Sequence, residues 1–162
     1  MNKRYSLCYI HDPMCSWCWG FSETYQALIS QLDESIELRR LLGGLAADNH
    51  QPMTLIIQQQ IQANWRLIEQ KIPSKKFNFD FWCQNTPKRS TYPACRAVIA
   101  AREQGDEYDQ LMTAAIQRAY YQQARNPSEI TVLVALADEL GIELDRFQYH
   151  LESEITDAEA VK

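Results

Sequence analysis

Residues 12–19 read Asp12-Pro13-Met14-Cys15-Ser16-Trp17-Cys18-Trp19, and the elements on either side of this stretch decide the fold. Upstream, residues 4–11 set Tyr5, Leu7 and Tyr9 against Ser6, Cys8 and Ile10. Both sets are largely apolar, which predicts a strand buried on both faces. Asp12-Pro13 ends it. From Cys15 onward, Phe21, Tyr25, Leu28 (or Ile29) and Leu32 recur at spacings of three and four, which predicts a helix of about 18 residues. Asp33-Glu34-Ser35 form a turn, and residues 36–42, Ile-Glu-Leu-Arg-Arg-Leu-Leu, give a second strand stopped by Gly43-Gly44. Strand, helix and strand make a βαβ unit, parallel and right-handed.

The two cysteines fall in the first helical turn, where positions i and i+3 are neighbours. Their Cα atoms then lie within the roughly 4.4–6.8 Å that a disulfide requires. At a helix N-terminus, unpaired N–H groups and the helix dipole favour an anion, so the position lowers the pKa of Cys15 and makes it the better nucleophile. Cys18, one turn inside, is placed to attack a mixed disulfide on Cys15 and release the product. A C-x-x-C pair in a βαβ unit reads as a redox motif. Two structural alternatives compete with it. A zinc site needs four ligands, and Cys8, His11, His50, Cys83 and Cys95 are scattered; inert core cysteines would not sit where a thiol is activated. No metal site is expected.

Composition narrows the class. The chain has 162 residues, 46% of them apolar, enough for a core in one domain with an insert. A formal charge of −5 argues against nucleic acid as a partner. Five cysteines cannot all pair within one chain. No stretch approaches the roughly 20 apolar residues of a membrane span, and the apolar run after Lys3 and Arg4 is too short for a signal peptide. The expected compartment is the reducing cytoplasm, where cysteine pairs serve catalysis or redox chemistry more often than structure.

Beyond Asp48 the pattern turns helical. Residues 53–71 carry Ile57, Ile61, Trp65 and Ile68 on one face. Residues 74–93 are irregular, with Phe77, Phe79, Phe81 and Trp82 clustered. Further helices are expected over 94–104, 107–124 and 129–139, the last stopped by Gly141. Asp145 is expected to cap a final helix carrying Phe147, Leu151 and Ile155. Around the motif, Phe21 and Trp19 are read as core, and Trp17 and Met14 as an exposed apolar platform for substrate. His11 is read as a solvated strand-end residue close enough to tune Cys15, and His50 and His150 as surface residues. Cys95 and Cys83 are read as packing cysteines, Cys95 with a further option as a third redox thiol near a helix start. Arg39, Arg40 and Arg96 are read as ion-pair partners.

The run Asp-Pro-Met-Cys-Ser-Trp-Cys-Trp-Gly-Phe, set between strand and helix and followed by a long helical region, resembles the DsbA-like branch of the thioredoxin superfamily, most of all the cytoplasmic FrnE-like disulfide isomerases. Phe77-Asn78-Phe79 and Tyr92-Pro93-Ala94-Cys95-Arg96-Ala97-Val98 are similar to the segment that enters the helical domain in that branch, in kappa-class glutathione transferases and in hydroxychromene-carboxylate isomerases. The resemblance implies a thioredoxin-like α/β fold: a βαβ unit over 1–50, a helical insertion domain over 51–140 and a return segment over 141–162. It implies a disulfide oxidoreductase or isomerase with Cys15 and Cys18 catalytic, Pro13, Met14 and Trp17 meeting substrate, no bound cofactor, and glutathione as a reductant. Substrates would be protein disulfides or small thiols. The transferase and isomerase relatives typically carry serine at the first cysteine position; a glutathione-dependent activity of that type is the alternative, and a peptide-binding module indifferent to both cysteines is a third reading.

Two departures carry expectations. DsbA has Pro-His between its cysteines, whereas Ser16-Trp17 brings no positive charge, so Cys15 is expected to be less acidic than the roughly 3.5 of DsbA. The family fold closes with further strands, one led by a cis-proline that binds substrate; no proline follows Asp145, so those C-terminal strands are expected to be missing from the chain. The exposed edges of a two-stranded sheet would then invite pairing with a second copy.

Overall fold

The computed structural model describes residues 5–153. Strand β1 (Tyr5–His11) leads into helix α1 (Ser16–Ile29) and strand β2 (Ile36–Leu42), and the strands pair in parallel from Tyr5 with Ile36 to His11 with Leu42. The βαβ unit is thus present, with α1 at 14 residues shorter than its periodicity suggested. Helices α2 (Leu55–Lys71), α3 (Phe81–Gln84), α4 (Tyr92–Arg102), α5 (Glu107–Gln122), α6 (Ile130–Glu139) and α7 (Leu144–Leu151) follow. Among the described residues the sheet has two strands.

The helical part holds two apolar clusters. One is built on α4, whose Ala94, Cys95, Ala97, Val98, Ala100 and Ala101 are all fully buried among Met112 and Ile116 of α5, Leu133 and Leu136 of α6, Phe147 of α7 and Leu42 of β2. The small side chains let three helices and the end of β2 crowd against one. The other cluster centres on Trp65 of α2, whose indole meets the rings of Phe77, Phe79, Phe81, Trp82, Tyr120 and Tyr121 with centroids 4.9–6.1 Å apart. Met14 packs against both clusters, so the residue before Cys15 lies at their junction. α1 lies close on α2 at Gly20, where a Cβ would come within 3.2 Å of Ile72 and 3.3 Å of Ile68.

Helix ends follow local chemistry. Gly141, at φ +72°, terminates α6 and lets Ile142 N–H reach the Ala137 carbonyl at 3.0 Å. The cap of α7 is Glu143, whose carboxylate accepts from the amides of Asp145 and Arg146; Asp145, expected in that role, lies in the first turn, where its charge meets the helix dipole. Ile155 and the remainder of the expected return segment lie outside the described residues.

Two burial expectations are corrected. β1 is not covered on both faces: Ile10 is 64% exposed and Leu41 of β2 is 44% exposed, because no element of the described chain packs on that side of the sheet. Phe21 is 41% exposed, touching Tyr9 at the margin of the sheet with its centroid 6.3 Å away, and is not a core residue.

Candidate active site

Cys15 is the N-cap of α1. Its sulfur accepts the Cys18 amide N–H at 3.4 Å, and its own amide donates to the Asp12 carbonyl at 3.0 Å. The extended backbone of Cys15 (φ −79°, ψ 113°) turns the sulfur back over the first helical turn, the geometry in which serine or aspartate caps a helix. Here the capping atom is a nucleophile. The Cys18 thiol donates to the same sulfur, and with the amides of Cys18 and Trp17 it lowers the Cys15 pKa to about 6 against the opposing pull of burial and of Asp12. The value falls between the roughly 3.5 of DsbA and 7 of thioredoxin. Cys18 moves the other way: sharing its proton with Cys15, and half-buried, it is held firmly as a thiol. One helical turn thus sets the two thiols apart, one favoured as the anion and the other kept protonated.

A first consequence is measurable. A group whose pKa is lowered to about 6 is mostly thiolate above that pH and loses reactivity as pH falls through it. The rate of Cys15 alkylation by iodoacetamide is therefore expected to be half-maximal near pH 6. Replacing Cys18 by alanine, which deletes the strongest stabilising donor, should move that midpoint upward by one unit or more, toward the free-cysteine value of about 8.5. An unshifted midpoint in that variant would exclude the Cys18 thiol as the cause.

Asp12 holds the turn before the motif. It is buried, and its carboxylate accepts from the amides of Met14 (2.7 Å) and Leu45 (2.9 Å) while the Cys95 thiol approaches at 3.7 Å. It thereby ties the cysteine turn to the loop after β2 and to α4. Burial raises its pKa and these donors oppose the rise. Cys95 is buried at the fourth residue of α4, with its thiol pushed up first by burial and then by Asp12; it is a packing and hydrogen-bonding cysteine. Cys8 and Cys83 are exposed and stand apart from the motif in sequence.

The two cysteines open into different cavities. Cys15 lines a groove of about 210 Å³ with Met14, Ser16, Trp17, Met53, Ile61 and the cationic pair Lys88 and Arg89. Trp17 is 41% exposed, whereas Met14 is half-buried and serves packing as well as the groove. Pro13 is buried at the turn and is not among the residues that line this groove. Cys18 lines a cavity of about 350 Å³ with Tyr9, His11, Tyr25, Arg40 and Gln117 among its walls. Trp19, expected as core, is half-buried, stacked on Tyr121 (5.8 Å) and covered by the Lys75 ammonium at 4.0 Å from its ring.

His11 is not solvated. It is buried, and burial first, then Arg40, lower its pKa to about 4, so the ring is neutral at physiological pH. Arg40 forms the ion pair expected of it, with Asp109 of α5, and also reaches the Tyr25 hydroxyl (3.1 Å) and His11 (3.1 Å); Asp109 in turn accepts from Arg102 of α4. Arg96 pairs with Asp48 at 2.7 Å. Arg39 is exposed on the bare face of the sheet, and His50 is exposed on its loop. Sequence reasoning missed Tyr9, Asp12 and Arg89 as site residues. For Asp12 a signal existed: an aspartate two residues before an amide it can cap is a turn former. For Tyr9 and Arg89 none did, since they meet the motif only through the fold.

Among the described residues, no group of three or more His, Cys, Asp or Glu side chains is gathered as a metal-ligand set, and no helix is long and apolar enough to cross a membrane. The family model described as Thioredoxin matches residues 8–160. No curated protein matches the chain at a significant level. Among solved structures, a candidate protein disulfide isomerase from Nitrosomonas europaea is 28% identical, with a TM-score of 0.83, over 96% of this chain and 74% of that one. The cytosolic disulfide reductase DsbM from Pseudomonas aeruginosa is 27% identical, with a TM-score of 0.75 over the same shares. Its structure with glutathione gives 27% and 0.74, over 96% of this chain and 75% of that one. With a cysteine-capped helix between parallel strands, a helical insert and these relatives, the chain belongs to the thioredoxin family as a DsbA-like member.

Proposed function

We propose that this DsbA-like oxidoreductase works by thiol–disulfide exchange with Cys15 as the attacking thiolate, Cys18 as the resolving thiol and glutathione as the small-thiol partner. The observation that carries the reading is the Cys15 sulfur capping α1, with the Cys18 amide at 3.4 Å and its pKa lowered to about 6. The Cys15 thiolate attacks a disulfide RS–SR′, forming Cys15–S–S–R while R′S⁻ leaves and takes a proton. Cys18, losing its proton, attacks the Cys15 sulfur; the Cys15–Cys18 disulfide forms and RS⁻ leaves. Two molecules of glutathione then return the pair to dithiol and become glutathione disulfide. Met14 and Trp17 flank the nucleophile in its groove and supply apolar contact to the substrate, while Arg89 gives one wall a positive charge suited to the carboxylates of glutathione; Lys88 beside it is paired with Glu129 at 3.1 Å. Crystallisation of DsbM with glutathione supports the choice of thiol.

On this reading residues 1–50 are the redox unit, 51–140 the helical insertion domain and 141–162 the return segment. The working site is the cytoplasm, and the free edges of the two-stranded sheet are where a second copy would pair.

The test is trapping. With Cys18→Ser, oxidised glutathione should leave one glutathionyl group per chain, mapped by peptide mass to Cys15, while the unaltered protein resolves it. An adduct confined to Cys8 or Cys83 would sink the reading. Full turnover by Cys18→Ser would instead favour the transferase-type alternative, which has no use for a resolving thiol.

A further inference from the structure

Cys18 must lose a proton in the resolving step, and its surroundings are built apart from those of Cys15. In the 350 Å³ cavity it shares a wall with Tyr9, and the two groups are near enough to couple electrostatically. The Tyr9 ring is fixed on several sides. It stacks on Tyr25 with centroids 4.2 Å apart and on His11 at 5.2 Å and 6° between planes, and the Arg40 guanidinium lies over it at 5.9 Å from the centroid. Arg40 is itself held by Asp109, the Tyr25 hydroxyl and His11. Around it, burial and Arg40 make His11 a weak base, Asp109 is engaged by two arginines, and the buried Asp12 carboxylate, whose charge also reaches Cys18, is held by the amides of Met14 and Leu45. Glu23 lines the same cavity, but its carboxylate is paired with Lys75 at 3.1 Å.

We propose that Tyr9 is a positioning residue for the resolving step: its caged hydroxyl donates to the Cys18 sulfur, stabilises the thiolate as it forms and fixes its direction of attack on Cys15. The inference rests on the assignment of Cys18 as the resolving thiol. The balance is simple. The Cys18 proton passes to water in the cavity, the S–S bond to substrate breaks as the Cys15–Cys18 bond forms, and the departing thiolate takes up a proton; Tyr9 itself keeps its proton throughout. It can do so because burial first, and the neighbouring Cys18 next, push its pKa up to about 12. The hydroxyl is therefore a donor across the physiological range.

The experiment uses the whole chain and oxidised glutathione as probe, with the two steps resolved by rapid acid quench. Tyr9→Phe keeps the ring and its stacking and deletes only the hydroxyl. Formation of the Cys15 mixed disulfide should change less than twofold. Resolution should slow on the order of tenfold, as expected for a lost hydrogen bond to a charged group, and its pH–rate profile should move to higher pH. Resolution at the unaltered rate and pH profile overturns the role of Tyr9. An equal loss in both steps also overturns it, because it marks a structural defect. If the unaltered protein forms no mixed disulfide on Cys15 at all, the assignment of the cysteine roles fails first and the Tyr9 role falls with it.

Discussion

Cys15→Ser is expected to abolish disulfide reduction, with the rate falling by a factor on the order of 10³ or more. The native sulfur, with its pKa lowered to about 6, is roughly nine-tenths thiolate at pH 7. A serine hydroxyl at the same helix cap stays protonated and needs a neighbouring base to become a nucleophile. The site offers none: His11 faces Arg40 in the cavity on the Cys18 side, and Asp12 is engaged by the amides of Met14 and Leu45. Serine also caps helices well, so the fold should be retained and the loss should be chemical. Glutathione-disulfide turnover, followed through a coupled reductase, checks the rate; circular dichroism checks the fold. Residual activity above a few per cent would mean that another thiol carries the reaction.

Trp65→Ala should cost about 3–5 kcal/mol of stability, the range for removing a large buried aromatic side chain. Trp65 is fully buried and contacts six aromatic rings, so the cavity left behind has rigid walls that cannot collapse onto it. Its indole N–H makes no hydrogen bond, so the loss is one of packing rather than of a polar contact. The damage should reach the site, because Tyr121 and Trp19 continue the aromatic stack from Trp65 toward Cys18. Urea denaturation gives the stability directly. A loss below about 1 kcal/mol would show that the cluster repacks and that its ring contacts matter little.

The β1–α1–β2 unit was readable because hydrophobic spacing changes from two to three or four and back across 40 residues, with Asp12-Pro13 and Gly43-Gly44 as stops. The longer helices were readable from Pro and Gly punctuation, whereas the single turn α3 (Phe81–Gln84) fell in a stretch read as irregular. The cysteine pair was readable because its chemistry depends on one helical turn. Burial was less so. Ile10 and Phe21 are apolar enough for a core, but whether they are covered depends on what packs over the sheet. His11 looked solvated because its neighbours in sequence leave it exposed; the residues that enclose it, Arg40 and Asp109, come from β2 and α5, and they pair with each other across 69 positions. The separate cavities of the two sulfurs arise from α1, α2, α5 and the loops between them, and no local pattern encodes that.

The alanine-rich face of α4 carries a consequence for how this sequence can change over time. Ala94, Ala97, Ala100 and Ala101 are fully buried among the side chains of α5, α6, α7 and β2. Each added methylene would force neighbouring helices apart, typically at 1–3 kcal/mol. Leucine or valine, ordinarily the easy replacements in a core, are therefore the ones selection should reject here, and glycine would loosen the helix by about 1 kcal/mol. Drift along α4 is confined to side chains of nearly one size.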